Sequence, residues 1–526
     1  MSRSHVAIVV LVLVAFVPVY FALSTSSYAG ANFLVTKSAD TNDGTCDADC
    51  SLREAIIAAN SNAGSDTINI PANTYTLTIA GSGEDAAATG DLDITDDVTL
   101  QGAGAASTTV DAAGLDRVFD VMGVVTVDIG GLTVTGGLTD PSTSRNGGGI
   151  QNSDATLTLN GLIITGNATG NFNGASGGGL ANVDSGIVTI NSSEIKNNMA
   201  PNTNNTGAGV ANTESGVMTI NDTTISGNTA LQDGGGVMNA NIGFLTINNS
   251  SITGNSGRFG GGFSHGNGAT AIINDSTISG NSATDGGGVE NDQGTTITIN
   301  RTTISGNTAT DEGGGVYVSQ SGIVAINHST ISGNDAVFGG GIQQAGSETV
   351  TVTNSTISGN MASEHSGGVN SFGTGTVLVQ NSTISDNTAD SDANGSGDGG
   401  GIGVGSGTVQ VENTIIAGNH DPTSDPDCFG TITSLGYNLI QVVSAGCTLA
   451  GNITGNVVGQ DPLLGALADN GGTTNTHALQ GGSPAIDAAS PDCPPPSDDQ
   501  RGVSRPRDGD GDLTALCDIG AYEAPG

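Results

Sequence analysis

The stretch NRTTISGNTATDEGGGVYVSQSGIVAIN, residues 300–327, returns with small changes through the middle of the chain. Aligned on the isoleucine of TISGN, the repeat recurs at Ile164, Ile195, Ile225, Ile252, Ile278, Ile304, Ile331, Ile357, Ile384 and Ile416. Successive copies are 26 to 32 residues apart. A period of this size is typical of a solenoid, in which each repeat forms one coil and packs only against its neighbours.

Each repeat contains three short segments with strand character. One follows the glycines (GGGVYV), one alternates between polar and apolar residues (TITIN), and one is the TTISGN segment itself. All three are too short for helices and are rich in β-branched residues. Three strands per coil predict an all-β chain, a right-handed parallel β-helix with coils of about 26–31 residues.

Apolar residues occupy the same four positions in every repeat, here Ile304, Val316, Val324 and Ile326. We expect these side chains to point inward and to stack at the interstrand spacing of about 4.8 Å. Stacked aliphatic side chains fill the interior without aromatic residues, which agrees with an aromatic content of 3%.

Asparagine repeats in two rows. The first row is Asn167, Asn198, Asn228, Asn255, Asn281, Asn307, Asn334, Asn360, Asn387 and Asn419, and the second is Asn160, Asn191, Asn221, Asn248, Asn274, Asn300 and Asn327. An asparagine amide can bond to the asparagine one coil above, so we interpret both rows as hydrogen-bond ladders. A sugar-binding surface is the alternative. The glycine triplets are interpreted as corners that need positive φ.

The charge of the chain limits its partners. There are 51 acidic and 11 basic residues, which gives a net charge of −40. No Lys/Arg cluster is present that could bind nucleic-acid phosphates or an anionic lipid surface. Nucleic acid is therefore excluded as a partner. A strongly acidic surface fits a soluble extracellular protein that collects divalent cations.

The N-terminal segment predicts export. An apolar run from Val6 to Leu23 is followed by the small-x-small sequence SYA, which ends at Ala29. This pattern predicts a secretory signal peptide over residues 1–29. An uncleaved membrane anchor is the alternative, because the run reaches bilayer length, and membrane contact is expected only in that case.

The six cysteines lie outside the repeats, at Cys46, Cys50, Cys428, Cys447, Cys493 and Cys517. An even number in an exported chain predicts disulfides. Fifteen pairings are open, and proximity favours 46–50, 428–447 and 493–517. Zinc binding is the alternative, which the lack of CxxC and of a nearby histidine pair disfavours.

The segment CSLREAIIAAN, residues 50–60, is the strong helix pattern near the front of the chain. Ser51 and Glu54 form a capping box, and Leu52, Ile56 and Ala59 share one face. We expect this helix to act as an N-terminal cap that plugs the first coil.

Both ends of the chain resemble known domains. FLVTKSADTNDGTCDADCSLREAIIAAN, residues 33–60, resembles the CSLREA domain of secreted bacterial proteins and contains its namesake motif. The second resemblance is to the choice-of-anchor Q domain. It rests on three segments within residues 461–523, namely DPLLGALADNGGTTNTHALQGGSPAIDAA, DQRGVSRP and CDIGAYE. The repeats resemble the β-helix repeats of that group and, more loosely, those of chlamydial polymorphic outer-membrane proteins.

These resemblances imply a secreted or cell-surface β-helix protein. They divide the chain into a signal peptide (1–29), a CSLREA-like cap (30–75), parallel β-helix repeats (76–425) and a disulfide-bearing, choice-of-anchor Q-like region (426–526). A structural or adhesion role without a catalytic site is the leading hypothesis. The expected partners are extracellular glycans or cell-surface and matrix components.

A polysaccharide lyase or glycoside hydrolase acting on acidic extracellular glycans is the alternative function. The residues before the glycine triplets stack in the order Asp233, Phe259, Asp285, Glu312, Phe338, Ser366 and Asp398. Asp285 and Glu312 would be neighbours one coil apart, with Asp311 beside them. The SHG sequence at 264–266 weakly matches the GHG of polygalacturonases. We interpret the stacked positions as solvent-facing loop residues, so no catalytic residue is assigned.

RDGDGDL, residues 507–513, places Asp508, Asp510 and Asp512 at alternate positions. Alternating carboxylates resemble the start of a calcium loop. Ile519 stands where an EF-hand needs glutamate, so a simpler calcium turn is predicted, with an acidic flexible turn as the alternative. No other cofactor is expected. Recognition, if present, is expected at the unrepeated letters of residues 300–327, namely TATDE, Tyr317 and Gln320.

Overall fold

The structure, a computed structural model, describes residues 30–139, 146–422, 424–493 and 495–526. The predicted signal peptide, residues 1–29, lies outside these ranges. A first strand and one helix, α1 (Leu52–Ser61), precede a long series of short strands whose ladders are all parallel. Each repeat contributes one strand to each of three faces, which we name A, B and C.

Face A consists of Asn32–Leu34, Asp66–Ile70, Val98–Gly102, Thr126–Gly130, Thr156–Asn160, Ile187–Asn191, Val217–Asn221, Phe244–Asn248, Thr270–Asn274, Thr295–Asn300, Gly322–Asn327, Thr349–Thr353, Thr376–Gln380, Thr408–Glu412, Cys428–Gly436 and Cys447–Gly451. Face B consists of Asn73–Thr76, Thr108–Asp111, Thr133–Thr135, Ile163–Thr165, Glu194–Lys196, Thr224–Ser226, Ser251–Thr253, Thr277–Ser279, Thr303–Ser305, Thr330–Ser332, Thr356–Ser358, Thr383–Ser385, Ile415–Ala417, Leu439–Ile440 and Val457–Val458.

Face C consists of Leu92–Ile94, Phe119–Met122, Ile150–Ser153, Leu180–Val183, Val210–Asn212, Val237–Asn239, Phe263–His265, Val289–Asn291, Val316–Val318, Ile342–Gln344, Val369–Ser371 and Ile402–Val404. Between faces B and C, some coils add a two-residue strand: Met199–Ala200, Thr229–Ala230, Ser282–Ala283, Thr308–Ala309, Asp335–Ala336 and Met361–Ala362. The strand Cys428–Gly436 pairs with Ile402–Val404 of face C and with Thr408–Glu412 of face A.

The register of the coils confirms the predicted interior. Ile297 pairs with Val324, and Ile278 pairs with Ile304. The apolar side chains predicted to line the interior are at most 1% exposed in all ten repeats. Among the described residues face B has fifteen strands, so further coils extend the ten repeats at both ends. The predicted all-β parallel β-helix is therefore confirmed.

The two asparagine rows form ladders that differ in burial. The first runs inside the coil, where the fully buried Asn307 donates to the Ile278 carbonyl and to Oδ1 of Asn334, both at 3.0 Å. The second runs along the outside of face A, where the half-buried Asn300 donates to Oδ1 of Asn274 at 2.9 Å. The inner ladder thus satisfies backbone groups that water cannot reach.

A third ladder, which was not predicted, runs inside face C. Asn152 donates to Asn182, Asn182 to Asn212, and Asn212 to Asn239, each at 2.8 Å. The amide of Asn239 then lies 3.3 Å from Nδ1 of His265, which takes the next position. His265 therefore belongs to the interior of the coil.

The glycine corners have two separate causes. In the triplet at 313–315, Gly313 has φ +66°, as the sequence predicts for a tight corner. Gly314 and Gly315 are required for space, because a Cβ there would lie 2.5 Å from the Asp335 carbonyl oxygen and 2.6 Å from that of Gly341. Coils can stack in register here only when both positions lack side chains.

Helix α1 begins as predicted. Ser51 is its N-cap, and the capping box with Glu54 is formed. Leu52, Ile56 and Ala59 are buried against the first strands. The helix therefore covers the open N-terminal end of the coil interior, where a solenoid otherwise exposes its edge.

The motif residues at both ends of the chain are buried in ion pairs. Arg53 is 0% exposed, pairs with Asp40 at 2.7 Å and donates to the carbonyl oxygens of residues 87, 90 and 91. Arg505 donates to the carbonyls of Asp518 and Gly520 at 2.9 and 2.6 Å. Arg53 of the CSLREA motif and Arg505 of DQRGVSRP therefore have structural roles.

The chain beyond residue 462 packs along the side of the rod. Gln500 donates to Oγ1 of Thr330 at 2.9 Å and accepts from Oγ1 of Thr356 at 2.6 Å. Both threonines are outward positions of face B, and both are buried, whereas Thr303 one coil earlier is half-buried. The C-terminal region therefore covers face B of the later coils, which the sequence did not predict.

The cysteines pair as Cys46–Cys50, Cys428–Cys447 and Cys493–Cys517, the pairing that proximity favoured. The first disulfide precedes α1, and the other two lie in the C-terminal region. Among the described residues, no helix combines the length and the apolar character needed to cross a membrane.

Candidate functional site

The strongest candidate site is a groove along the outer surface of face C. The outward residue at the centre of each face C strand forms its floor. In four successive coils these residues are Met238, Ser264, Glu290 and Tyr317, which pair in register. All but Tyr317 are at most 6% exposed, although they point away from the coil interior.

The glycine corners explain this burial. A Cβ on Gly286 would lie 2.7 Å from Cβ of Glu290, and one on Gly313 would lie 2.7 Å from Cβ of Tyr317. The corner of each coil therefore folds back against the outward residue of its own strand. Face C becomes concave, and its polar floor residues lose contact with water.

The walls of the groove come from the turns on either side of each strand. On one side stand the residues that precede the glycines, and the bridges Asp233–Phe259 and Phe259–Asp285 stack them coil upon coil. On the other side stand the residues that follow the strand, including Asp292 and Gln320. The stack before the glycine triplets was predicted, and its register is confirmed.

These elements enclose a cavity of about 390 Å³. It is lined by Gln232, Asp233, Met238, Phe259, Ser264, Gly266, Asn267, Glu290, Asp292, Tyr317, Ser319 and Gln320. Among these lining residues are three carboxylates and no Lys or Arg. Two aromatic rings and several amides complete the cavity.

Glu290 is the most strongly perturbed group of the cavity. Burial raises its pKa to about 8, and the charges of Asp292 and Asp233 act in the same direction. The Ser264 hydroxyl donates to its Oε2 at 2.7 Å. Glu290 is therefore a neutral, proton-carrying acid at pH 7.

The other two carboxylates of the cavity differ in their partners. Burial raises the pKa of Asp233 to about 6, and its buried Oδ1 has no hydrogen-bond partner among the described residues. Asp292 accepts a hydrogen bond of 2.8 Å from the Ser319 hydroxyl. The cavity thus combines a neutral acid, a second carboxyl group whose pKa burial also raises, and a third that the Ser319 hydroxyl holds.

Two further carboxyl groups, those of Asp285 and Glu312, lie beside the cavity. The Glu312 amide donates to Oδ1 of Asp285 at 3.2 Å, so the predicted neighbours one coil apart do meet. Burial, followed by the charge of the neighbouring Glu312 carboxyl group, raises the pKa of Tyr317. Burial raises the pKa of both Asp285 and Glu312 above their usual values.

Part of this site was predicted from the sequence. Glu312, Tyr317 and Gln320, among the unrepeated letters of residues 300–327, line or border the cavity. Glu290 was missed, because an isolated glutamate in a strand gives no signal that a glycine corner will bury it. The SHG sequence does not supply a catalytic histidine, since His265 is fully buried and burial lowers its pKa to about 4.

Other depressions and acidic clusters are less informative. An open depression of about 630 Å³ lies over turns that carry Asp154, Asp184 and Glu214. Asp91 and Asp120 are buried near the N-terminal end of face C, and Arg117 pairs with both. The ion pairing gives this second cluster a structural role.

The predicted calcium residues do not all converge. Asp508 and Asp510 lie beside Asp487, with one oxygen of each within 4.8 Å of the others. The Asp510 amide donates to Asp487 at 2.9 Å. Asp512 is outside this group, and its Oδ1 accepts from the Thr514 amide at 2.7 Å.

Comparison with known proteins agrees with the architecture. The family model described as "Right handed beta helix region" matches residues 291–462. The fold is a right-handed parallel β-helix. No curated protein matches the chain.

Several solved structures are similar at low identity. Pectate lyase Pel9A is 14% identical, with 95% of this chain and 98% of that chain covered and a TM-score of 0.32. The catalytic unit of a GH87 alpha-1,3-glucanase from Streptomyces thermodiastaticus is 17% identical, with 77% and 71% covered and a TM-score of 0.34. The Azotobacter vinelandii mannuronan C-5 epimerase AlgE6 A-module is 16% identical, with 82% and 100% covered and a TM-score of 0.28.

Proposed function

We propose that this protein is an extracellular β-helix of structural and adhesion type that binds a neutral glycan chain in the face C groove. The observation that carries the proposal is the cavity itself, which combines aromatic rings with amide and carboxyl groups in a concave surface. The three disulfides support an extracellular location, because such bonds persist in oxidising compartments.

The chemistry of the lining matches a sugar ligand. Sugar rings offer C–H faces that pack on aromatic side chains, and Phe259 and Tyr317 supply such rings. Sugar hydroxyls need both donors and acceptors, which the amides of Gln232 and Gln320 and the carboxyl group of Asp292 supply. A groove that runs along the rod suits a linear chain of several sugar units.

The charge of the groove favours a neutral glycan over an acidic one. Asp233 and Asp292 line the cavity, and the chain as a whole carries a net charge of −40. Polyuronates would meet like charge at the cavity and across the surface, which opposes association. Arg258, stacked on Phe259 at 4.7 Å, is the cation beside the cavity, and it is exposed.

The Tyr317→Ala variant is expected to weaken glycan binding about tenfold, because one ring face and one hydroxyl are lost. Isothermal titration with soluble xylan, mixed-linkage glucan, galactomannan and α-1,3-glucan oligosaccharides measures the Kd. Phe244→Ala is the matched control, since Phe244 is an exposed aromatic residue on face A, outside the groove. Equal Kd values for both variants, or preferential binding of oligogalacturonate, would contradict the proposal.

We also propose that calcium bound at Asp487, Asp508 and Asp510 stabilises the C-terminal region. Saturating calcium is expected to raise Tm by several degrees, because the ion binds only the folded state. Differential scanning calorimetry with calcium or EDTA measures the effect. Asp508→Asn should abolish it and Asp512→Asn should preserve it; the absence of any calcium-dependent shift would remove this proposal.

A further inference from the structure

We infer that the face C cavity cleaves the glycan that it binds, with Glu290 as general acid and Asp292 as general base. This inference rests on the proposed glycan binding and adds a reaction to it: hydrolysis of a glycosidic bond in a neutral polysaccharide. It rests first on the placement of the two carboxyl groups in one cavity, and second on how each is held.

The two carboxyl groups share one cavity. Glu290 and Asp292 are two residues apart in the chain, and both side chains line the same cavity. The charge of Asp292 acts on the Glu290 carboxyl group, so the two groups are close neighbours within the cavity. An inverting glycosidase uses such a pair, with one carboxyl group as acid toward the leaving oxygen and the other as base toward a water molecule.

The surroundings of each group fit its role. Glu290 is buried against the Gly286 corner and held by the Ser264 hydroxyl, and burial raises its pKa to about 8, so it carries a proton at neutral pH. Asp292 is half-buried and held by the Ser319 hydroxyl at 2.8 Å, which orients its carboxyl group. An acid kept neutral beside a second carboxylate is the arrangement that glycoside hydrolysis requires.

The reaction balances without a cofactor. The proton of Glu290 moves to the glycosidic oxygen as the bond from that oxygen to the anomeric carbon breaks, and the bonding electron pair stays on the oxygen. A water molecule attacks the anomeric carbon from the opposite face while Asp292 takes its proton. The products are two shorter chains, one with a new reducing end, and the net proton taken up by Asp292 returns Glu290 to its neutral form through solvent.

A lyase reaction fits this cavity less well. Elimination in a uronate needs a base next to a neutralised carboxylate, and lyases use Arg or Lys for such tasks. Arg258 stacks on Phe259 outside the cavity, and no Lys or Arg is among the described lining residues. The carboxylates of Asp233 and Asp292 would also repel a uronate.

The test uses the full mature protein and the neutral oligosaccharide that binds most tightly in titration. Reducing-end assays are expected to show turnover, and proton NMR at early times should show the inverted anomer. Glu290→Gln should lower kcat about 10²- to 10⁴-fold with a Kd within threefold of the wild-type value. The wild-type rate should fall above pH 8, as Glu290 loses its proton.

Azide separates catalysis from structure. Asp292→Ala should lose turnover, and sodium azide should restore it by forming a glycosyl azide, because the small anion needs no general base. A misfolded variant would show no such rescue. Glu214→Gln, an exposed glutamate outside the cavity, is the control and should keep the wild-type rate.

The outcomes separate the two proposals. Binding without any new reducing ends would overturn the catalytic inference and leave the proposed binding intact. Turnover that survives Glu290→Gln, or a retained anomer, would also overturn the assignment. Failure to bind any of the neutral glycans would overturn the proposed function and this inference with it.

Discussion

Glu290→Gln is expected to stabilise the protein strongly at alkaline pH and to leave its stability almost unchanged near pH 4.5. The folded pKa of Glu290 is about 8, against 4.5 for an unperturbed glutamate. Between these values the folded state holds a proton that the unfolded state has lost. Stability therefore falls as pH rises through this window, by about 5 kcal/mol in all. Glutamine keeps the shape and accepts from Ser264, but it has no proton to lose.

Urea unfolding at pH 5.5, 7 and 9 measures this effect. The difference in unfolding free energy between variant and wild type should grow from about 1 kcal/mol at pH 5.5 to several kcal/mol at pH 9. Glu214→Gln, at an exposed turn, should change it by less than about 0.5 kcal/mol. A gain for Glu290→Gln that does not depend on pH would show that the residue is not buried as a neutral acid.

The same residue then links stability to function. Glu290 lowers the stability of the folded protein above pH 5. A residue with this cost is more readily retained in evolution when activity needs it than when it only fills space. If the Glu290→Gln variant gains stability and loses turnover, Glu290 lowers the stability of the fold but is needed for the activity of the groove. If the Glu290→Gln variant gains stability without losing binding or turnover, Glu290 has no role in the function of the groove.

The β-helix could be predicted from the sequence because the pattern that forms it is local and recurs in every repeat. Ile304 and its equivalents follow the alternation of a strand, and the same alternation recurs with a fixed period, so interior and exterior positions could be told apart. Asn307 was recognised as a ladder residue for the same reason. Each repeat served as an independent observation of one structural rule.

The cavity could be predicted only in part, because its residues stand at positions that vary from one repeat to the next. Asp233, Glu290 and Tyr317 belong to different coils, and each occupies a position that holds other residue types elsewhere. The burial of Glu290 depends on the Gly286 corner, which packs against it only in the folded coil. The sequence pointed to Tyr317 as an unrepeated letter, but it could not show what surrounds it.

The packing of the C-terminal region against face B could not be predicted from the sequence, for a different reason. Thr330 and Thr356, which the region covers, are the same residue type at the same repeat position as the uncovered Thr303. Nothing in the repeats marks one coil as covered and another as open. The partner residue, Gln500, lies 144 residues beyond Thr356 and has no periodic relation to it.

Asn307→Ala is expected to destabilise the rod by more than about 3 kcal/mol, whereas Asn300→Ala in the same repeat should cost less than about 1 kcal/mol. Asn307 is fully buried, and its Oδ1 accepts from both the backbone and the side-chain amide of Asn281 at 3.0 Å. Its own amide serves the Ile278 carbonyl. Removing the side chain leaves these buried groups without partners, and each costs about 1–3 kcal/mol.

Asn300 is the matched control because it makes the same kind of ladder at the surface. Its amide donates to Asn274 and its Oδ1 accepts from Asn327, but water can replace both bonds when the side chain is removed. Urea unfolding midpoints compare the two variants, and hydrogen exchange of the Asn281 amide localises the loss, since solenoids open region by region. An equal loss of unfolding free energy in both variants would show that stacking of the asparagines, and not burial of the amide, determines how much a ladder stabilises the fold. A large cost for Asn307 alone would establish the inner ladder as the polar counterpart of the isoleucine stack, because it supplies the hydrogen bonds that the apolar interior cannot.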